Sequence, residues 1–372
     1  MKKHICFFLC IMLLSMPVMA NELTGDAKSV ILMEASTRTV LYEANADEAL
    51  PPASVTKVMT LLLVVEAIDR GDIKITDEVT CSANAASMGG SQIYLEPGEV
   101  MTVDELLKSV VVASANDAAV ALAEYVAGSE SSFVELMNKR AGELGMANTH
   151  FENTNGLDDT TTAHLTSARD IALMSAELIS HPIIFNYTTI WMDTVRNGQF
   201  GLTNTNRLIK FYNGANGLKT GSTSHAGFCI SATALRDNMQ LIAVIMGAST
   251  RDSRNATAQT LLDYGFANYA YYNFPSSQLA DIPISGGIQE TVSAVYPEFS
   301  IVREKSAGEV TQNIEMNENL TAPIAQGDVI GKVIYQSDGE TIQEQEIVSA
   351  VEVEKLNFLG VLRMMIGKWL VM

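Results

Sequence analysis

The chain has 372 residues, of which 47% are hydrophobic and 18% are charged, and its formal net charge at pH 7 is −19. This composition is that of an ordinary globular protein and excludes a disordered or polytopic membrane chain. The strong negative charge argues against nucleic acid as a partner and against general adhesion to anionic membranes.

The first twenty residues predict a secretory signal peptide. Two lysines precede an apolar core, and Pro17 and Ala20 supply a break and a small-residue cleavage site. The apolar run is shorter than the roughly 20 residues that a spanning helix needs. We therefore expect residues 1–20 to be removed and the mature chain to lie outside the cytoplasmic membrane.

The mature chain keeps two cysteines, Cys81 and Cys229. Export permits a disulfide, but nothing in the sequence requires one. Cys229 lies in an apolar, strand-like run, which favours a buried free thiol. The five histidines are scattered, and no HExxH or paired CxxC motif occurs, so the sequence predicts neither a metal site nor a cofactor.

Hydrophobic periodicity predicts one α/β domain over residues 21–275. Residues 29–44 alternate as a hairpin, with a turn at Ser36 and Thr37. Helices are predicted at residues 58–68, at 102–113 after a Thr102–Glu105 capping box, and at 117–127, 132–144, 167–179 and 256–269. Short apolar strands are predicted at residues 217–222, 228–234 and 239–246. We expect one antiparallel sheet with a helical block inserted between its first two and its last three strands.

The pattern changes after Pro275. Residues 276–353 alternate between turn signals, which predicts a small all-β domain. Residues 354–372, wound as a helix, gather polar residues near one side and apolar residues on the other. We expect this segment to be an amphipathic helix on the membrane surface. The alternative is a helix packed onto the β domain.

Ser54 and Lys57 open the predicted helix at 58–68. They are three positions apart and therefore share one helix face. The helix is apolar on nearly all sides, so it should be buried, and burial favours the neutral form of lysine. A neutral amine can take the proton of a neighbouring hydroxyl. The alternative is that Ser54 caps the helix and Lys57 is a surface charge.

Two more elements follow in order, Ser114-x-Asn116 between helices and a Lys-Thr-Gly strand beginning at Lys219. A closely similar set marks class A β-lactamases and penicillin-binding proteins. Acyl transfer needs an activated nucleophile, a proton path and an oxyanion site. Ser54 would be the acyl-ester nucleophile and Lys57 the general base. Ser114 would relay a proton to the leaving amine, and Asn116 would hold a substrate carbonyl.

The strand motif predicts the carboxylate end of a substrate site. Lys219 would keep the first lysine neutral and attract a free carboxylate, and Thr220 would bond that carboxylate. Gly221 would let the substrate backbone approach the strand edge. The backbone N–H of Ser222 would join that of the nucleophile as the second oxyanion donor. Arg254, in a predicted turn, would either help hold the carboxylate or be a surface arginine.

The chain resembles the D-alanyl-D-alanine carboxypeptidases, the low-molecular-mass penicillin-binding proteins of the serine type. The resemblance covers nearly all of the mature chain and includes the stretches PPASVTKVMT, ASANDAAVALAEYVAGS, NGLKTGSTSHAGFCISATA and LTAPIAQGDVIGKVIYQSDG. It implies a transpeptidase-like catalytic domain, a β-rich second domain and a C-terminal helix on the outer face of the cytoplasmic membrane. It also implies removal of the terminal D-alanine from peptidoglycan pentapeptide stems, and covalent inhibition by β-lactam antibiotics.

Three alternatives remain at this point. A β-lactamase would need a carboxylate for deacylation, and Glu152 lies in about the right interval, although its sequence context does not match. A peptidoglycan D,D-endopeptidase would use the same machinery. A non-enzymatic wall-binding protein would keep the fold alone, and the presence of all the catalytic side chains argues against it.

Overall fold

The structure is a computed structural model that describes residues 23–159, 161, 163–358 and 360. These fall into two compact units, one ending at Ala267 and the other starting at Asn268. The predicted signal peptide lies outside the described residues, as do residue 359 and residues 361–372 of the predicted anchoring helix. The sequence-based boundary after residue 275 differs from this division because residues 269–274 form a strand of the second unit.

The first unit contains nine described strands and a helical block. Its strands are β1 (Ser29–Glu34), β2 (Val40–Ala44), β3 (Glu78–Thr80), β4 (Val100–Thr102), β5 (Met192–Val195), β6 (Phe200–Thr203), β7 (Ala215–Thr223), β8 (Gly227–Arg236) and β9 (Met239–Ala248). Its helices are α1 (Lys57–Asp69), α2 (Ala83–Ala86), α3 (Val103–Lys108), α4 (Asn116–Ala127), α5 (Glu130–Glu143), α6 (Ala168–Ile179), α7 (Phe185–Thr188), α8 (Leu208–Phe211) and α9 (Arg251–Asn268).

One antiparallel sheet of order β2-β1-β9-β8-β7 organises this unit. The predicted joining of the first hairpin to the last three strands across the helical block is confirmed. Alternate side chains of β1 point to opposite faces. Ile31 and Met33 pack into the core cluster that contains α1, α4 and α6. Leu32 faces α9, where Gly265 leaves room for it and for Leu241.

Helix α1 is a core helix, as the sequence predicts. Every residue from Lys57 to Val65 is buried, so the interpretation of Lys57 as a surface charge is wrong. Ser54 does not cap this helix either. It lies in a preceding 3₁₀ turn, Ala53–Thr56, and Ala53 adopts a left-handed φ of 48°.

The segment that carries the second motif begins at the predicted capping box. The Thr102 hydroxyl accepts a bond from the Glu105 N–H, and the Glu105 carboxylate accepts one from the Thr102 N–H. The predicted helix at 102–113 is α3 followed by one π-helical turn, Ser109–Ala113. This turn ends at Ser114 with a φ of 62°, and α4 begins at Asn116.

Two features of the first unit differ from the sequence-based expectation. Helix α9 begins at Arg251 rather than at residue 256, so Arg254 lies in a helix rather than in a turn. The small hairpins β3–β4 and β5–β6 were not predicted. Both cysteines are buried free thiols in the structure, and Cys229 lies in β8 as expected.

The second unit is the predicted all-β domain. Its strands are β10 (Tyr269–Phe274), β11 (Ser277–Pro283), β12 (Thr291–Tyr296), β13 (Phe299–Glu304), β14 (Thr311–Met316), β15 (Val329–Ser337) and β16 (Glu340–Ser349). They form a five-stranded sheet of order β11-β12-β16-β15-β14 and a β10–β13 pair. Val333, Tyr335 and Ile347 lie at the centre of its core. No long helix follows β16 among the described residues. In the same described part of the chain, none of the helices has both the length and the hydropathy needed to cross a bilayer.

Candidate active site

The three sequence motifs converge on one cleft of the first unit. The cleft has a volume of about 550 Å³, and its lining includes the predicted residues Ser54, Ser114, Thr220, Gly221, Ser222 and Arg254. The remaining predicted site residues are buried and hydrogen-bonded at this cleft, with exposed fractions of 0% for Lys57, 2% for Asn116 and 1% for Lys219. The structure therefore brings all the predicted site residues together.

The amine of Lys57 contacts three oxygen atoms. Its Nζ lies 2.9 Å from Ser54 Oγ, 2.5 Å from Asn116 Oδ1 and 2.7 Å from the Asn155 carbonyl oxygen. The last two atoms only accept hydrogen bonds, so they engage both N–H groups of a neutral amine. The nitrogen lone pair is then left for the hydroxyl of Ser54. This geometry is that of a base poised to take the Ser54 proton.

The electrostatic environment keeps Lys57 neutral. Its pKa is held well below the ordinary value, first by burial and then by the charge of Lys219. The nearby charge of Asp117 acts in the opposite direction and is the weaker influence. The carboxylate of Asp117 accepts bonds from the N–H groups of Ile93 and Leu95, so it supports the loop beside the cleft. Burial and a second lysine were the two causes expected from the sequence.

Lys219 and Ser114 form the second pair of the site. Lys219 Nζ lies 2.8 Å from Ser114 Oγ and 2.8 Å from the Thr220 carbonyl oxygen. Burial, followed by repulsion from Arg254, lowers the pKa of Lys219 to about 7. Ser114 has a left-handed backbone and lines the cleft. Its hydroxyl lies beside the amine of Lys219, which can supply a proton.

Asn116 makes two contacts that the sequence did not predict. Its carbonyl oxygen accepts from Lys57, and its amide Nδ2 donates to the Gly89 carbonyl at 2.6 Å. Both ends of the side chain are therefore engaged inside the protein, and Asn116 does not line the cleft in this structure. These contacts orient Lys57, and the expected bond from the amide to a substrate carbonyl stays a prediction.

Thr220 and Arg254, two of the residues predicted to hold a carboxylate, both line the cleft. Thr220 Oγ1 donates to Thr205 Oγ1 at 2.8 Å. Arg254 is only 3% exposed, so it is not a surface arginine. Its Nη1 donates to the Cys229 carbonyl at 3.3 Å, and its Nη2 donates to Asn255 Oδ1 at 2.9 Å. These contacts fix the guanidinium at the cleft wall.

The structure gives a reason for a glycine at position 221 that the sequence did not reveal. A Cβ at this position would lie 2.8 Å from both Pro52 O and Ser54 N, and 2.9 Å from Val55 N. All three atoms are backbone atoms of the nucleophile turn, so none can swing aside. The absence of a side chain lets the edge strand β7 lie directly against the Ser54 turn. This close approach sets the spacing between Ser54 and Ser222.

Family comparison identifies the chemistry of this site. The profile of the family described as D-alanyl-D-alanine carboxypeptidase matches residues 16–250. The chain belongs to the D-alanyl-D-alanine carboxypeptidase family. A second profile, described as the C-terminal domain of penicillin-binding protein 5, matches residues 275–355. The two profiles thus match both the first and the second unit of this carboxypeptidase.

Full-length relatives carry the same name. The carboxypeptidase is 43% identical to D-alanyl-D-alanine carboxypeptidase DacF of Bacillus subtilis over 357 residues, which cover 94% of this chain and 91% of the relative. It is 34% identical to D-alanyl-D-alanine carboxypeptidase DacC of Escherichia coli, over 90% of this chain and 86% of the relative. The protein is a serine-type D-Ala-D-Ala carboxypeptidase of the penicillin-binding group.

Solved structures agree with the fold. Penicillin-binding protein 5 of Haemophilus influenzae superposes with a TM-score of 0.75 at 33% identity, covering 89% of the carboxypeptidase and 98% of that chain. Penicillin-binding protein D2 of Listeria monocytogenes, in its ampicillin-bound form, superposes with a TM-score of 0.60 at 31% identity over 65% of this chain and 98% of its own. The fold is the mixed α/β penicillin-binding-protein fold with a β-rich second domain.

Glu152 does not take the place that a β-lactamase would require. Its side chain is absent from the lining of the cleft, and its Oε2 accepts from the Ala163 N–H at 3.2 Å. The family assignment agrees with this geometry, and neither favours the β-lactamase or the scaffold alternative.

A buried histidine beneath the nucleophile turn was missed at the sequence level. The Glu152 N–H donates to His164 Nδ1 at 2.9 Å, so Nε2 carries the ring proton and donates to Thr56 Oγ1 at 2.7 Å. Thr56 Oγ1 in turn donates to the Ala53 carbonyl at 2.8 Å. Burial lowers the pKa of His164 to about 4, which keeps the ring neutral. A lone histidine in the sequence gives no signal of such a relay.

Proposed function

We propose that Ser54 attacks the carbonyl of the penultimate D-alanine in a peptidoglycan stem and that Lys57 takes its proton. The observation that supports this proposal most directly is the 2.9 Å contact of Lys57 Nζ with Ser54 Oγ. The two N–H groups of the neutral amine are engaged by the carbonyl oxygens of Asn116 and Asn155. The attack forms an ester between Ser54 Oγ and the acyl carbon. The carbon–nitrogen bond to the terminal D-alanine breaks, and that amine takes up a proton.

The proton reaches the leaving amine through Ser114. Lys219 Nζ lies 2.8 Å from Ser114 Oγ, so the hydroxyl can give its proton to the amine and regain one from this lysine. Water then attacks the ester carbon and gives a proton through Ser114 to Lys219, while Lys57 returns its proton to Ser54 Oγ as the ester bond breaks. Hydrolysis releases the shortened stem and restores the enzyme.

The developing oxyanion has two candidate donors at the β7 edge. Ser54 lies in the turn that precedes α1, and Ser222 follows the glycine that packs against this turn. We assign the two backbone N–H groups to the oxyanion, whose stabilisation is typically worth about 3 kcal/mol per donor. Lys219, Thr220 and Arg254 are then left for the terminal carboxylate of the substrate.

Penicillin labelling tests the nucleophile. The Ser54→Ala variant is expected to lose both covalent labelling by a fluorescent penicillin and release of D-alanine from a pentapeptide. Ser276→Ala, an exposed serine of the second unit, is the matched control and should behave as the parent does. Labelling that persists in Ser54→Ala would reject the nucleophile assignment, and mass spectrometry of the adduct would name the true residue.

Product analysis separates the carboxypeptidase reaction from two alternatives. Fast turnover of a penicillin without a long-lived adduct would indicate a β-lactamase. Faster release of monomers from a cross-linked dimer than of D-alanine from a pentapeptide would indicate a D,D-endopeptidase. A slowly hydrolysed adduct together with D-alanine release supports the proposal.

We further propose that residues 1–20 direct export, that the enzyme works on the outer face of the cytoplasmic membrane, and that residues 354–372 attach it there. The sequence pattern of the two termini supports this proposal. The penicillin label can be used to test attachment to the membrane. Labelled full-length protein should sediment with membranes, and a chain lacking residues 356–372 should not. Sedimentation of the shortened chain would contradict attachment by this segment.

A further inference from the structure

Three arginines line the cleft beyond the catalytic residues. Arg207 directly precedes α8, Arg251 begins α9, and Arg254 lies one turn further along α9. They come from two separate elements that meet at the same end of the cleft. Arg254 is buried, whereas Arg207 and Arg251 are exposed.

Among the described residues, the exposed pair lacks the ion pairs that several other arginines of this acidic protein form. Arg140, Arg169 and Arg196 each form an ion pair with at least one carboxylate. In the described part of the chain, neither Arg207 nor Arg251 forms one. Two guanidinium groups therefore face the cleft without a neutralising partner in a chain whose net charge is −19.

These groups are close enough to repel one another. The pKa of Arg254 is lowered to about 10, first by burial, then by the charge of Arg251 and more weakly by that of Arg207. Asp252 and Cys229 act in the opposite direction without removing the shift. A cluster of like charges is unfavourable unless a bound anion relieves it.

An aromatic wall stands at the same end. The rings of Trp191 and Phe211 meet edge to face with centroids 5.9 Å apart, and both residues line the cleft. Lys210 Nζ lies 5.2 Å and 5.6 Å from the two ring centroids. The wall therefore adds apolar surface to the cleft that the three arginines line.

We propose that Arg207 and Arg251 form an anion subsite for a second carboxylate on the leaving side of the scissile bond. This inference rests on the proposed function, in which Lys219, Thr220 and Arg254 hold the terminal carboxylate. The ligand class is a leaving residue, or a leaving peptide, that carries an acidic group besides its C-terminal one. A stem peptide released from a cross-link has that chemistry.

Matched peptides test the charge recognition. Acyl peptides ending in D-Ala-D-Glu and D-Ala-D-Gln differ in one charge and almost nothing in size. The ratio of their kcat/KM values should be roughly ten in the parent, as one or two partly exposed guanidinium–carboxylate contacts provide, and it should fall as NaCl is raised. In the Arg207→Gln/Arg251→Gln double variant the ratio should fall close to one.

Arg70→Gln is the control for loss of positive charge, since Arg70 is exposed directly after α1 and pairs with Asp72. It should keep the parent ratio. A parent ratio near or below one, or a ratio that survives in the double variant, overturns the subsite. Cleavage of a D-Ala-D-Ala peptide with no cleavage of either probe also overturns it, because a subsite for a second carboxylate must admit one. Failure to cleave the D-Ala-D-Ala peptide would instead count against the proposed function.

Discussion

Ala53 and Ser54 show how one residue's geometry depends on its neighbours. Ala53 has a left-handed φ of 48°, which costs a non-glycine residue about 1 kcal/mol or more. Its carbonyl is held by Thr56, and Thr56 is held by His164. The relay thus stabilises the backbone turn that aims the Ser54 hydroxyl at Lys57. His164 touches no reacting atom, so it is a positioning residue.

His164→Phe removes the donor to Thr56 while keeping a ring in the same space. We expect the rate of acylation by penicillin to fall about tenfold because the Ser54 turn loses its orientation, while the Kd for initial binding changes little. His164→Gln, whose amide can donate to Thr56, should recover part of the rate. Stopped-flow measurement of acylation separates these two quantities.

The control for this experiment is His150→Phe, since His150 is exposed and bridges Leu165 only through its backbone. Equal losses in the Phe and Gln variants of His164, or a loss in binding alone, would contradict the positioning role. The titration of His164 should not change the acylation rate near neutral pH, because the pKa of its ring is about 4. Glu152, His150 and Asp158 are the titratable groups that face it.

At the scale of elements, the site depends on how closely β7 approaches the nucleophile turn. Gly221→Ala would place a methyl group 2.8 Å from two backbone atoms of that turn. We expect β7 to shift away, with a loss of about 1–3 kcal/mol in the free energy of unfolding and about a hundredfold loss in acylation rate. Denaturant titration and penicillin labelling kinetics measure the two effects.

Gly142→Ala in α5 is the matched substitution, since a Cβ there would meet no other atom within 4 Å. It should raise stability by roughly 0.5–1 kcal/mol and leave acylation unchanged, because alanine is the better helix former. A Gly221→Ala variant with parental acylation would show that the strand–turn contact does not set the oxyanion spacing.

The same scale explains what the sequence could predict. Buried elements such as α1 and β7–β9 were found because their burial leaves runs of apolar side chains in the sequence. The β5–β6 hairpin is short and largely exposed, so it leaves no such pattern. The first turn of α9 was missed because Arg251 and Arg254 face the cleft rather than the core.

The site was predictable where side chains carry the chemistry. Ser54, Lys57, Ser114 and Lys219 could be assigned from their spacing and order. The carbonyl of Asn155, which engages Lys57, has no sequence signal because every residue has a carbonyl. The bond from the Asn116 amide to the Gly89 carbonyl could not be predicted either, because no side-chain pattern marks which backbone carbonyl lies beside it.

At the scale of the whole molecule, the buried lysines of the catalytic cleft lower the stability of the folded protein. The first unit buries Lys57 and Lys219 completely and lowers the pKa of both. A buried lysine with a lowered pKa destabilises the native state at every pH where the unfolded chain is protonated. Function thus requires two amines at positions where an apolar side chain would give a more stable protein.

The Lys219→Met variant measures this cost through its pH dependence. The folded-state pKa is about 7 and the ordinary value is 10.5, so the native state releases its proton first. The destabilisation is complete below pH 7, shrinks as the pH rises toward 10.5, and then disappears. Relative to the parent, the free energy of unfolding of Lys219→Met should therefore be higher at pH 6.5 than at pH 9.5 by about 3 kcal/mol.

Denaturant titrations of the full chain at these two pH values test the prediction, with Lys139→Met on α5 as the exposed control. The loss of bonds to Ser114 and Thr220 lowers the absolute stability of Lys219→Met equally at both pH values, so the comparison across pH measures the titration of Lys219 together with its electrostatic coupling to Lys57. The variant should also lose carboxypeptidase activity, since in the proposed function Lys219 is one of the cations that hold the terminal carboxylate. An identical stability difference at pH 6.5 and pH 9.5 would mean that Lys219 keeps its proton in the folded protein, and its proposed return of a proton to Ser114 would then have to be abandoned.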